Sequence, residues 1–286
     1  MARLSTRMRQ YLSLIKSLQT GLLLTTGLAG FMSTRCPFRN WEMLLAVAGS
    51  LFLAISGSTV LNMWYDRDID ARMGRTQHRP LPAGQMSPRE ALLLGVVLSA
   101  LGVGWALYMD LLYGTVVFAG VFFDVVIYTV WLKRRTPWSI VWGGIAGGMP
   151  VLAGRTLGTG RIEWVGILMA LAILFWIPTH ILTFSMRYRE DYRRAGIPTF
   201  PSVYGDRVTL LIIAFSSVMA ALMMFAAAYG IGLTLGYLRV MAILSLGLFA
   251  LAFRCATRPS PRVNFGLFKY ASFYMLGTMG LMMFGV

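Results

Sequence analysis

Apolar positions fall in long unbroken runs, and charged positions gather between them. Runs of roughly 20 apolar residues recur at 11–32, 41–64, 91–109, 111–133, 138–154, 163–184, 208–230, 232–254 and 264–285. Each is long enough to cross a bilayer as a helix. The alternating segments of about 10 residues that mark a membrane β-barrel are missing. Helices also satisfy their own backbone groups where lipid offers no partner. The pattern therefore predicts an all-α integral membrane protein, a bundle of nine transmembrane helices. Arg3, Arg7 and Arg9 precede the first run, but no small-residue cleavage site follows it. The first run is expected to be retained and not removed as a signal peptide.

Composition agrees: 57% of residues are hydrophobic and only 13% are charged. A net charge of +15 raises nucleic acid as a partner, but its distribution argues otherwise. Under nine spans, the N-terminus and the even-numbered loops share one side. Of the 26 Lys and Arg, only Arg35, Arg39, Arg155, Arg161 and Arg239 fall on the other. The positive-inside rule makes the rich side cytoplasmic. The expectation is a multi-pass protein of the cell (plasma or inner) membrane, embedded in the lipid bilayer, with no nucleic-acid partner. Cys36 and Cys255 fall on opposite sides, so no disulfide is expected. No CxxC or Cys/His metal cluster is present.

The acids are not scattered. Asp66, Asp68, Asp70 and Glu90 lie in the second loop; Glu190, Asp191 and Asp206 lie in the sixth. The two loops also resemble each other: "LNMWYDRD" (61–68) lies over "FSMRYRED" (184–191), matching Met63 to Met186, Tyr65 to Tyr188 and Asp68 to Asp191. A single domain, 1–286, built from two repeated halves at about 11–133 and 138–285, is the expected organisation.

The stretch "NMWYDRDIDARMGRTQHRPLPAG" (62–84) carries the chemistry. If the second helix continues through it, Asn62, Asp66 and Asp70 stand at i, i+4 and i+8 on one face, and Asp68 points away. Like charges at that spacing repel, but a hard divalent cation would hold them together. Mg²⁺ prefers oxygen and binds through one or two carboxylates plus substrate phosphates. The alternative is a solvated loop whose aspartates pair with Arg67, Arg72 and Arg75. Arg75 and Arg79, with Lys133, Arg134 and Arg135 at the end of the fourth run, suit phosphate oxygens; anchoring at the membrane surface is their other use. A diphosphate at the mouth of an apolar bundle suggests a prenyl diphosphate whose chain lies among the helices. Metal and cations would stabilise the departing diphosphate, and a dry central cavity would protect the allylic cation.

Other positions are candidates too. Asp124 lies midway through the fourth run, where a carboxylate is a functional candidate by default. It stands one helical turn from Tyr128. "GGIAGGMP" (143–150) suits close helix packing, or room for a flat ligand.

The strings "NMWYDRDIDARMGRT", "RPLPAG", "YTVWLKRRTPWSIVWGGIAGGMP" and "DYRRAGIP" resemble the UbiA-type superfamily of nine-helix membrane prenyltransferases. Within it they are most similar to the branch that farnesylates protohaem IX to haem O. The resemblance is strong from about residue 50 to 205. It implies that Asn62, Asp66 and Asp70 hold Mg²⁺ and that Arg75, Arg79, Lys133 and Arg134 bind the diphosphate. Asp66, Asp70, Asp191 and Glu190 would be the catalytic acids, with Asp191 and Glu190 as a second acidic wall. Tyr128, His180 and Tyr188 would contact substrate, His180 as a candidate haem ligand. The implied substrates are farnesyl diphosphate and haem B, and the implied partners are haem A synthase and terminal-oxidase assembly proteins. The chain departs from the branch at Ser17 and Leu18, where Lys16 would be followed by Pro-Arg, and in "IPTHILTFS" (177–185). The superfamily's second aspartate pair falls on Tyr188 and Tyr192. Prenylation of an aromatic or lipid acceptor, as in quinone synthesis, is the alternative within the superfamily. An ion-coupled transporter is the alternative outside it, although transporter sites lie at the midplane.

Overall fold

The computed structural model describes residues 2–34 and 41–285, with side chains from Arg7 onward. Arg35, Cys36 and Arg39 lie outside the described residues. In chain order the helices are α1 (Ala2–Leu14), α2 (Ser17–Met32), α3 (Trp41–Tyr65), α4 (Arg67–Asp70), α5 (Pro88–Met109) and α6 (Leu111–Phe122). A π-helix, Phe123–Leu132, continues α6. Then follow α7 (Ser139–Thr159), α8 (Trp164–Arg187), α9 (Arg189–Arg194), α10 (Phe200–Val203), α11 (Gly205–Ile231), α12 (Leu235–Thr257) and α13 (Pro261–Phe284). No strand occurs among the described residues.

The expected spans reappear with one instructive change. The run 11–32 is broken at Lys16, whose φ of 44° is the only left-handed backbone among the described non-glycine residues. Such a conformation is disfavoured for a side chain with a Cβ. It separates α2 from α1, which docks on the bundle instead of entering it. Leu14 is fully buried against Val60, Met63 and Leu81, and the Tyr11 hydroxyl donates to Glu90 Oε1 at 2.5 Å.

Among the described residues, six helices are long and apolar enough to cross a membrane: α3, α5, α6 with its π continuation, α8, α11 and α12. Of the other three long helices, α2 has only 16 residues, and α7 and α13 pack among neighbouring helices. More than half of α7 is buried, and it lies between α2, α6 and α8. Its glycines let backbones touch. A Cβ at Gly148 would sit 2.8 Å from the Ala170 carbonyl oxygen of α8, and one at Gly154 would sit 2.9 Å from the Phe31 nitrogen of α2. The glycine-rich string thus serves helix contact. One apolar core joins α7, α8, α11, α12 and α13, and a second joins α2, α3, α6 and α7.

Gly148→Ala is expected to destabilise the bundle by about 1–3 kcal/mol through overpacking. Gly104→Ala, where a Cβ meets nothing within 4 Å, should be neutral. Thermal unfolding in detergent, followed by tryptophan fluorescence, compares the two.

Candidate active site

The polar face of α3 does continue past its end. The Asp66 N–H donates to the Asn62 carbonyl at 3.0 Å, and the Asp70 N–H donates to the Asp66 carbonyl at 2.8 Å. The helical repeat therefore survives the slight break at Asp66, and Ser58, Asn62, Asp66 and Asp70 form one stripe. All four are buried; Asp66 is only 2% exposed.

The π-helix carries the matching stripe. Ser58 Oγ donates to Asp124 Oδ2 at 2.7 Å, Asn62 Nδ2 donates to Thr129 Oγ1 at 2.9 Å, and Lys133 Nζ is paired with Asp66 Oδ2. The partners Asp124, Thr129 and Lys133 are spaced five and four residues apart. An α-helix turns in about 3.6 residues and would rotate this set off a common face; the wider π turn, with i→i+5 bonds, keeps it. The Lys133 N–H bonding the Tyr128 carbonyl at 2.8 Å and the Thr129 hydroxyl donating to the Asp124 carbonyl at 2.7 Å show that spacing directly. Asp124 therefore shares its stripe with Thr129, and the α-helical pairing with Tyr128 does not apply.

Above this ladder sit the cations. Arg79 Nη1 reaches Asp70 Oδ2 at 2.7 Å. Arg134 clamps Asp68 at 2.6 and 2.8 Å, and that bond holds the Asp68 carboxyl below the usual carboxylate range. Its Nη2 also lies 3.8 Å from Asp66 Oδ1. Burial opposes the charge on Lys133, but Tyr128 and Asp66 outweigh it and keep the ammonium protonated. Lys133 Nζ also lies 5.5 Å from the Tyr128 ring centroid. Two neighbouring polar atoms are left over, both buried and without a hydrogen bond: Asp66 Oδ1 and Arg134 Nε. One is an anionic acceptor and the other a cationic donor. Such orphans are costly unless something binds them, and together they suit a metal on one and a phosphate oxygen on the other. No group of three His, Cys, Asp or Glu among the described residues would hold a metal alone. A metal here would need Asn62 and ligand oxygens as well.

The sixth loop closes over the second. Gly74 N–H donates to Asp191 Oδ1 at 3.1 Å, and Ile69, Met73, Ala195 and Ile197 pack together beneath Tyr192. The Arg75 guanidinium lies over Phe184, Tyr188 and Tyr192 at 4.8, 5.7 and 5.9 Å. Asp191 thus holds the loop that carries Arg75 and Arg79. Glu190 stands apart: it is exposed and divides its oxygens between Arg193 and Arg194, which hold its carboxyl below the usual range. His180 lies deeper, with its ring stacked between Trp176 and Phe268 and Nδ1 3.3 Å from Ser272 Oγ.

A further residue joins the site. Lys16, at the break before α2, feels Arg79, Lys133, Asp70 and Asp124 and pairs with no carboxylate among the described residues. Burial, then Arg79 and Lys133, pull its pKa down to about 8. A cation set among cations, with Asp70 and Asp124 as the nearby acids, suits an anionic ligand. Its sequence signal was a lysine inside an otherwise apolar run.

The profile of the UbiA prenyltransferase family matches residues 22–273. The chain belongs to the UbiA prenyltransferase family. It is 40% identical to a protoheme IX farnesyltransferase of Archaeoglobus fulgidus over 98% of this chain and 97% of that one. It is 41% identical to one of Pyrobaculum arsenaticum over 86% and 90%. Among solved structures, a digeranylgeranylglyceryl phosphate synthase superposes with a TM-score of 0.80 at 19% identity, covering 98% of each chain. A UbiA homologue of A. fulgidus bound to GPP and Mg²⁺ superposes with a TM-score of 0.71 at 17% identity, over 96% of this chain and 99% of that one. The fold is therefore that of UbiA enzymes, and this UbiA chain is a multi-pass membrane protein.

Because an adjacent anion favours charged Lys16, diphosphate binding above the Lys16 pKa would be coupled to uptake of a proton from solution by Lys16. Affinity for inorganic diphosphate with Mg²⁺ is expected to fall several-fold between about pH 7 and pH 9 beyond the ligand's own titration. Lys16→Met should remove that extra fall, and isothermal titration across the range reads it.

Proposed function

We propose that the chain transfers the farnesyl group of farnesyl diphosphate to a vinyl carbon of protohaem IX, giving haem O and diphosphate. The observation that carries this is the orphaned pair Asp66 Oδ1 and Arg134 Nε at the end of the α3 stripe. It supplies a seat for a metal-bound diphosphate in a chain whose near-full-length relatives are protoheme IX farnesyltransferases. The active-site rim with its basic loops faces the cytoplasm, as the charge asymmetry favours.

Asn62, Asp66 and Asp70 would hold Mg²⁺. The ion, when bound, neutralises the diphosphate and makes it a better leaving group. Lys16, Arg79, Lys133 and Arg134 take the remaining phosphate oxygens, and Arg75 guards the rim. These donors are fixed before substrate arrives, so little reorganisation accompanies the charge that builds on the leaving oxygen. The C1–O bond of farnesyl diphosphate breaks, and the vinyl electron pair forms the new C–C bond. Water then closes the remaining cation to an alcohol and releases a proton. The apolar helices exclude other water from the allylic cation. His180, Tyr188 and Tyr128 face the acceptor, and Asp191 positions the second loop. Glu190, spent on surface arginines, serves that loop's charge balance.

Purified protein given farnesyl diphosphate and either haem or a hydroxybenzoate should yield a farnesylated, hydrated haem by mass and no prenylated benzoate. Asp66→Asn should lower turnover about 100-fold or more while leaving insertion intact. A prenylated benzoate, or full activity of the variant, would overturn this reading.

A further inference from the structure

An aromatic layer runs from the interior to the charged rim. Trp176 stacks on His180 at 4.8 Å, His180 on Phe268 at 4.4 Å, and Phe268 on Phe265 at 5.7 Å with their planes only 7° apart. Phe184 adds a branch, 5.7 Å from Phe268 and 4.5 Å from Tyr188. The Trp176 Nε1–H donates to the Ala271 carbonyl at 2.7 Å, which fixes the inner end. None of the three rings His180, Phe268 and Phe265 is fully buried; because His180 has both faces taken, by Trp176 and Phe268, the stack offers a ligand its ring edges.

Two cations close the outer end. The Arg187 guanidinium lies 4.0 Å from the Phe265 centroid, and Lys269 Nζ lies 4.8 Å from it. Both side chains are exposed, and neither pairs with a carboxylate among the described residues. Arg187 ends α8, where a cation is ordinary. Lys269 is not ordinary. It stands eight residues into α13, about 12 Å from its start, in a helix of a membrane bundle, and it reaches back one turn to Phe265. A lysine this far along a membrane helix is expensive without a reason. Arg75, over Phe184, stands on the branch of the layer that leads to the diphosphate seat.

An aromatic stack with two unpaired cations at its outer end and a branch towards Arg75 fits a planar aromatic dicarboxylate lying against its ring edges. Protohaem has that shape: its two propionates project from one edge of the ring, and its vinyl groups lie away from them. We propose that Arg187 and Lys269 bind the haem propionates, and that the macrocycle lies against the ring edges of the Phe265–Phe268–His180 stack with its vinyl edge towards Arg75 and the diphosphate. This rests on the haem reading of the preceding section. It makes Arg187 and Lys269 the residues that tell haem from an uncharged aromatic acceptor.

Protein in nanodiscs of zwitterionic lipid is titrated with protohaem and with its dimethyl ester, reading tryptophan quenching and the Soret band. Wild type should bind the ester about tenfold more weakly than the free acid, as for loss of charge-assisted bonds. Arg187→Gln with Lys269→Gln should bind both forms alike, at the ester's affinity, with binding of farnesyl diphosphate unchanged. Lys269→Arg alone should keep the discrimination, which separates lost charge from lost folding. Equal binding of acid and ester by wild type, or discrimination that persists in the double variant, would overturn the propionate assignment alone. An affinity that instead follows added anionic lipid would give the two cations to head groups and overturn it as well. Failure of wild type to bind either form would refute the haem reading itself, and the inference with it.

Discussion

The buried pairing of Asp66 with Lys133 is the interaction on which the site depends. It joins the end of α3 to the end of the π-helix, above two polar pairings, Ser58–Asp124 and Asn62–Thr129, that the π spacing holds in the same register. A buried ion pair is poor value as a stabiliser, since desolvation offsets most of its attraction. Beside it, Asp66 Oδ1 and Arg134 Nε are buried without a hydrogen bond, a further cost to the ligand-free fold. A left-handed Lys16 adds strain beside them. Unfavourable features gathered at one spot are what a preorganised anion site requires, because the ligand then supplies the missing partners.

Division of labour along the bundle follows from this. The diphosphate end is polar, cationic and tied together by the two charged loops, with Gly74 and Asp191 as the clasp. The interior below it is apolar, which suits a prenyl chain and an unstable cation. To one side runs the aromatic layer centred on His180. The Gly-rich α7, packed closely on α2 and α8, stiffens the frame between them.

Much of this was legible in the sequence. The helices were visible because lipid demands long apolar runs, and the register of Asn62, Asp66 and Asp70 was visible because an α-helix repeats every three to four residues. Family strings between residues 50 and 205 carried the chemistry. Other features were hidden for physical reasons. The π-helix leaves no compositional mark; it exists because Asp124, Thr129 and Lys133 must face α3 at a spacing that an α-helix cannot give. The break at Lys16 was hidden by apolar residues on both sides. Glu190 looked like a partner of Asp191, but its i+3 and i+4 neighbours are arginines, and local pairing on a short exposed helix wins. Arg187 and Lys269 looked like topology charges until their shared ring, Phe265, was placed.

The central claim is that Asp66, with Asn62 and Asp70, seats a divalent ion bound to a diphosphate at the charged rim. Anomalous scattering from crystals grown with Mn²⁺ and a non-hydrolysable farnesyl diphosphate analogue tests it directly. A manganese peak in contact with Asp66 Oδ1, with phosphate density between it and Arg134, is expected. A peak at Glu190, or ordered diphosphate density with no manganese near Asp66, would contradict it.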